Sequence, residues 1–351
     1  MKILLVMEKR VNAGSIQAAA NYVRAGDELG HTIAVYGCPD VKCPTIRFSA
    51  DVAAFDYVLF IVESKLEWMS GLRLPRIFAA APWERRAVLD ADGMYNRRIT
   101  VEGYDRNHGT DKERDRWRVA LQRLGRKILQ PTFTPLAPDV IPLPFYGYDT
   151  GTVIPEETRP AKRFDIAHVG HNWWRWRQVD SQLLPAIERI RPEIGEICFV
   201  GLWWDAVPPW ASKLGLDSAF CVDADRFRRL RIQVHPPVPY TEVIPVMSQA
   251  RVNIMTQRPL FRQLNILTAK YFEIFCADTI PLVMLDARQA EAVYGPSAGG
   301  LALNGNIAER LLAALHEPEH LHEIVRNVRQ HLAKHACYRK RVQELASALA
   351  A

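Results

Sequence analysis

Short apolar runs alternate along the chain with stretches whose apolar positions recur every three or four residues, the rhythm of strands followed by amphipathic helices. Residues 2–7, KILLVM, have the continuous apolar character of a buried parallel strand. VNAGSIQ is a Gly-containing turn, Ile16, Ala20, Val23 and Leu29 share one helical face, Gly30 ends that helix, and HTIAVYG is the next strand. Together they predict a βαβ unit. Further apolar runs follow at 55–62 (FDYVLFIV), 75–82 (PRIFAAAP), 127–131 (KILQP) and 139–145 (DVIPLPF), with a helix predicted over 111–124.

The stretch YDTGTVIPEETRPAKR, 148–163, has no apolar period and is rich in Pro, Thr, Gly and charge, as an exposed linker should be. The strand–helix alternation then restarts with FDIAHVG, the turn HNWWRWR, the helix VDSQLLPAIERI and the strand EICFVG. RIQVHPPV, the helix TEVIPVMSQA, the strand RVNIMT, a helix over 264–276 and the strand TIPLVML follow, and 307–348 has the pattern of successive helices. The predicted organisation is a first α/β domain at 1–150, a linker at 151–163, a second α/β domain at 164–333 and a terminal helix at 334–351 crossing back to the first. Two such domains facing one another make a cleft, and ligands of open parallel sheets bind beyond the carboxyl ends of the strands.

A chain of 351 residues exceeds the roughly 250–300 at which one core stops growing, which agrees with two domains. The start, MKILLVMEKR, is too short in apolar residues for a signal peptide, and no run nears the roughly 18 needed to span a bilayer, so a cytoplasmic location is expected. Six cysteines without a CxxC pair argue for reduced thiols and against a zinc site. A net charge of +6 suits an anionic partner without choosing among nucleotide, nucleic acid and lipid headgroup. In 113–127, Trp117, Leu121, Leu124 and Ile128 keep helical spacing among arginines. That is a solvated amphipathic helix, with peripheral membrane contact or docking of an anionic acceptor as the alternative.

Candidate chemistry concentrates in two stretches. In AKYFEIFCADTIPLVML, 269–285, Glu273 is a lone acid in an apolar helical run, with Lys270 one turn earlier on the same face. A carboxylate so placed can accept hydrogen bonds from paired hydroxyls and the lysine can meet an anion; the plainer alternative is a mutual ion pair on a solvated face. In HVGHNWWRWRQ, 168–178, Gly170 permits close backbone approach and Arg175 and Arg177 are candidate cations, the alternatives being a packed Trp/Arg corner or a stacking platform for single strands. Nucleic acid is set aside as a partner, because its surface should show several basic patches on one module. Gly14 and Ser15 open a helix that could face a diphosphate or be only a tight turn. Glu84, Asp92, His108 and His171 are loop groups able to act as a general base, with Asp92 and His171 preferred. The Asp-x-Asp spacings at 90–92 and 223–225 fit a divalent cation by composition. The first runs into the turn GMYN, the second into FRRLR, and neither is expected at a strand end facing the cleft, so no metal is predicted.

PYTEVIPVMSQARVNIMTQ, an irregular loop, and TAKYFEIFCADTIPLVM together resemble the nucleotide-sugar half of GT-B glycosyltransferases, in particular the CgeB-like (spore maturation protein-like) group with its glycosyltransferase family 1/4-type C-terminal domain. The opening βαβ with GHTIAVYG is similar to that group's first unit. The resemblance implies two Rossmann-like domains and metal-independent transfer of a hexosyl or related group from a UDP- or GDP-sugar, without a cofactor. The implied acceptor is a glycan, lipid-linked glycan or small molecule held mainly by the first domain. It assigns Glu273 to the ribose hydroxyls and Lys270, Gly170, Arg175 and Arg177 to the diphosphate, with Gly14 and Asn265 also in the donor set. The chain departs from the pattern in two places: the usual A-x-G-x-P turn is A-D-T-I-P, and Asn265 stands where retaining members carry Glu, so the stereochemical outcome stays open. A nucleotide-sugar epimerase of the same fold and a non-catalytic nucleotide-sugar-binding protein are the alternatives.

Overall fold

The computed structural model describes residues 1–8, 14–63, 67–101, 109–214 and 216–351. The first part of the chain runs β1 (Lys2–Val6), α1 (Gly14–Glu28), β2 (Thr32–Tyr36), β3 (Phe48–Ser49), β4 (Tyr57–Val62), α2 (Leu74–Ala80), β5 (Arg86–Asp90), α3 (Asp111–Leu124), β6 (Lys127–Gln130) and β7 (Val140–Pro142). Its strands form one parallel sheet in the order β3-β2-β1-β4-β5-β6-β7. Leu4, Val6, Val58, Phe60 and Val88 point to one face and pack on Ile77 of α2 and Leu121 of α3. Gly30, at φ +73°, ends α1 in the left-handed region that a Cβ disfavours. Thr110 caps α3: its hydroxyl accepts from Glu113 N while the Glu113 carboxylate accepts from Thr110 N at 2.6 Å.

One expected apolar run changes type. PRIFAAAP is α2 and not a strand, because Pro75 suits a first helical turn and the alanines favour helix; the strand beside β4 is RAVLD, whose flanking Arg86 and Asp90 disguise it.

The second part runs β8 (Phe164–Val169), α4 (Trp176–Gln178), α5 (Leu184–Ile190), β9 (Ile197–Val200), α6 (Ala224–Arg229), β10 (Ile232–His235), α7 (Val243–Ser248), β11 (Ala250–Met255), α8 (Pro259–Gln263), α9 (Lys270–Cys276), β12 (Ile280–Val283), α10 (Ala287–Tyr294), α11 (Ile307–His316), α12 (Glu319–His335) and α13 (Tyr338–Ala350). A π turn at Val179–Leu183 joins α4 to α5, just before Pro185, which has no N–H to donate. The sheet is again parallel, β10-β9-β8-β11-β12, with Pro281 tolerated on the edge strand β12. Its core joins Ile166, Phe199, Val252 and Leu282 to Leu183, Ile187 and Leu311.

The chain divides into two compact units: Met1–Gly147 with Leu260–Ala269 and Cys337–Ala351, and Tyr148–Pro259 with Lys270–Ala336. Within the first, Leu267 N donates to Pro131 O at 2.7 Å, and the Leu264 side chain lies where a Cβ on Gly93 would fall. A Cβ on Gly14 would stand 2.6 Å from the Ala269 Cβ, so that glycine is what lets segment 260–269 lie against the start of α1. Helix α13 is held there by Arg341 Nε donating to Tyr146 O at 3.0 Å and by Lys127 Nζ donating to the carbonyls of Ala348 and Leu349. The stretch after Gly147 is tied into the second unit: Ile154 N donates to Cys276 O, and Arg159 and Lys162 both reach the Asp278 carboxylate, at 3.3 and 2.6 Å.

Candidate donor site in the second unit

Parallel neighbours β8 and β11 end side by side at Val169 and Met255, and the chain leaving β8 turns through Gly170–Arg175. That turn is locked to the one after β9. Gly170 N donates to Val200 O, Asn172 N to Leu202 O and the Asn172 amide to Trp203 O, while Gly170 O accepts from the Trp204 indole at 2.7 Å. A Cβ on Gly201 would fall 2.3 Å from Gly170 O, so the two backbones meet only because a glycine is present. Trp174 and Trp203 hold φ of +61° and +66°, a costly conformation for an aromatic residue that the surrounding bonds impose.

A small cavity of about 10 Å³ lies beyond these strand ends, lined by Val169, Ile254 and Met255 on its apolar side and by Gly170, Arg175 and Lys270 on its polar side. Arg175 Nη1 donates to His171 O at 3.0 Å, which fixes the guanidinium. Burial, with Arg258 nearby, lowers its pKa to about 9, so it stays cationic at neutral pH. Lys270 Nζ lies 2.9 Å from the Glu273 carboxylate. The pair is not on a solvated face: the Glu273 side chain is only 7% exposed, in a helix whose residues 271–276 are all buried.

The remaining candidates fall elsewhere. Arg177 is exposed and does not line the cavity; Trp173 and Trp174 pack with Phe220, and the cation over the Trp173 ring is Arg258, at 5.5 Å. His171 is half-buried with Nδ1 accepting from Leu202 N at 3.0 Å. Gly14, Asp92 and Asn265 belong to the first unit, where exposed Asn265, at φ +54°, donates to the Thr134 hydroxyl at 3.1 Å. Glu84 is exposed, and His108 lies outside the described residues.

The DAD triplet at 90–92 follows a strand end, Asp90 being the last residue of β5. Asp90 is fully buried and its carboxylate accepts from Met94 N, Tyr95 N and the Gln130 amide, each at 2.8 Å; burial still pushes its pKa up to about 6. Asp92 is the neighbouring buried carboxylate. At 223–225, Asp223 caps α6 and Asp225 pairs with Arg228 at 2.7 Å.

Linear reading missed His168 and Thr256. His168 is 2% exposed on β8; Nδ1 bonds Ile254 O at 2.8 Å, whereas Nε2 and the Thr256 hydroxyl, in residues lining the cavity, have no partner among the described residues. Burial drives the imidazole pKa from 6.5 down to about 3, with Arg175, Lys270 and His171 adding to the effect against the Ile254 bond. An unfolded histidine binds its proton near 6.5, so between 6.5 and 3 the unfolded state carries more protons and acidification removes stability, by up to about 1.4 kcal/mol per pH unit. His168→Asn is expected to flatten that slope in thermal melts across the window. An unchanged slope would mean the acid sensitivity arises elsewhere. Asp90 acts in the opposite sense: its folded pKa is raised, so its contribution is present in acid and lost as pH climbs through about 6.

No protein-family model matches the sequence, and no curated protein does. Solved structures match along its whole length. An α-glucosyltransferase in complex with UDP and a 13-mer DNA containing a central A:G mismatch aligns with a TM-score of 0.64 at 10% identity, covering 100% of both chains. T4 phage BGT with its UDP-glucose substrate aligns at 0.56 and 12%, covering 99% of this chain and 98% of that one. The same enzyme with UDP and Mn2+ aligns at 0.57 and 12%, covering 99% of both. The fold is therefore α/β with two Rossmann-like units of the GT-B class. The exclusion of nucleic acid made from sequence does not stand, since a structure matched end to end holds DNA. Its premise also fails physically: Arg97, Arg98, Arg114 and Arg118 line one groove of the first unit although they are split between two segments of the chain.

Proposed function

We propose that the protein transfers a hexosyl group from a UDP-sugar to DNA. The observation that carries the donor half is the cavity at the ends of β8 and β11, where Arg175 and Lys270 offer fixed positive charge beside the buried Glu273 carboxylate. As the glycosidic bond to the nucleotide breaks, negative charge builds on the diphosphate; two cations already held in place stabilise it without reorganising. Glu273 accepts from the ribose hydroxyls and holds Lys270 toward the phosphates. Gly170, with its carbonyl tied to Trp204, lets the backbone approach the diphosphate closely. Asp92, a buried carboxylate two residues beyond the end of β5, is the proposed base. The narrower kinship with the CgeB-like group rests on Lys270-x-x-Glu273 and the turn into Pro281.

The DNA half draws on the α-glucosyltransferase structures, one with a DNA containing an HMU base. DNA bases carry no alcohol of their own, so the probe is a duplex with a hydroxymethylated pyrimidine. UDP release from UDP-glucose is expected only when that duplex is present, and EDTA is expected to leave it intact, since Arg175 and Lys270 supply the charge a divalent ion would otherwise bring. Release that needs no acceptor, or binding without release, would sink the transfer reading. Loss with EDTA and rescue by Mn2+ would instead make Asp90 and Asp92 the residues to test.

A further inference from the structure

The groove of the first unit carries an arrangement that the donor chemistry does not use. Its floor is Arg114, on the first turns of α3 and only 5% exposed. Nη1 donates to Met94 O at 3.3 Å, Nε has no partner, and the residue forms no ion pair among the described residues. Asp90 and Glu113 offset part of the cost of burying this guanidinium without forming an ion pair with it, so an arriving anion is still stabilised there. Arg97 and Arg98 stand exposed on one wall, and Arg118 is half-buried with its guanidinium 5.2 Å from the Tyr95 ring centroid. Among the described lining residues, four arginines stand with two exposed carboxylates, Asp111 and Asp115.

We infer that this groove holds backbone phosphates of the DNA acceptor, a reading that rests on the proposed transfer to DNA. A phosphodiester offers two unbridged oxygens and a single charge, the match for a planar guanidinium fork. Among the described residues the lining carries no aromatic ring, and Tyr95, behind Arg118, is 1% exposed and offers no face for a base to stack on. The contact is therefore to the backbone and independent of sequence, and it sets the position of the strand. Arg114 lies on the carbonyl of Met94, four residues beyond the end of β5, so a strand seated here is placed beside the turn that carries Asp92.

The test is equilibrium binding of a fluorescent duplex to the full chain over a salt series, comparing the wild type with Arg97→Ala/Arg98→Ala, two exposed positions whose replacement leaves the core untouched. The double variant is expected to bind DNA at least tenfold more weakly at low salt, with the slope of log affinity against log salt shallower by about 1.8, two lost phosphate contacts. Affinity for UDP and for inorganic phosphate is expected to stay within about twofold. An unchanged slope and affinity would overturn the groove while leaving the transfer reading intact, and an equal loss for inorganic phosphate or UDP would make it a small-anion site and overturn the assignment to DNA. A wild type that binds no duplex would overturn both. Arg114→Lys, which keeps the charge but removes the fork, is expected to weaken duplex binding while its melting temperature reports whether the fold survived.

Discussion

Truncating Trp204 to alanine is expected to cost about 3–5 kcal/mol of stability, the range for deleting a fully buried large aromatic. The indole is 0% exposed, sits edge-on to Phe199 at 5.0 Å and to His168 at 5.2 Å, and stacks on Phe227 at 6.5 Å. Alanine would leave a void in the centre of the second unit's core that these rings cannot all move to fill. Trp204→Phe separates packing from hydrogen bonding. It keeps most of the apolar contact but leaves Gly170 O without its 2.7 Å donor, at about 1–3 kcal/mol for an unpaired buried carbonyl. Because Gly170 lines the cavity, the phenylalanine variant should also lose UDP affinity. Urea unfolding followed by far-UV circular dichroism checks the first figure; a loss below about 1 kcal/mol for alanine would show that the site collapses freely.

Replacing Glu273 with alanine is expected to weaken UDP binding by about 1.5–3 kcal/mol, the worth of a hydrogen-bonding charged group. Two effects contribute: the ribose loses its acceptor, and Lys270 loses the carboxylate 2.9 Å away that holds it. Titration with uridine as well as UDP divides them. A loss for both ligands supports the ribose contact, whereas a loss for UDP alone assigns Glu273 to positioning Lys270. Glu273→Gln, with its carbonyl still able to accept, should recover part of the uridine affinity. Unchanged UDP affinity in a folded alanine variant would remove Glu273 from the site.

The strands were legible where a parallel sheet buries both faces, as in FIV of β4 and ICFV of β9, because continuous apolar runs have no other common use in a soluble fold. Helix α3 was legible over 111–124 from its apolar spacing, while the Thr110–Glu113 cap that starts it was not read from the sequence. RAVLD was not, because the apolar centre is three residues long and the charged ends are paid for by tertiary contacts: Asp90 by backbone amides, Arg86 by the Phe78 ring 4.1 Å away. Lys270 and Glu273 could be singled out because their charge interrupts an apolar helix. His168 could not, since inside a strand it looks like any other residue of the run until β11 is placed beside it. The helix expected over 264–276 was half right: its second half is α9, while Leu264, Ile266 and Leu267 are apolar because they are buried in the other unit.

The path of the chain carries a consequence for biosynthesis. Four times, at 147, 259, 269 and 336, the backbone passes from one compact unit to the other, and the last fifteen residues, 337–351, complete the unit that the first residues began. Vectorial synthesis therefore delivers β1–β7 long before α13 exists to cover Tyr22 and Phe145, the two rings stacked at 4.6 Å with Tyr338 edge-on at 5.7 Å from the former. Until α13 has been made, that apolar face waits open, and closing it brings together residues as far apart in sequence as Glu28 and Arg339. The nascent polypeptide cannot mature one half at a time; its N-terminal half is made first and finished last.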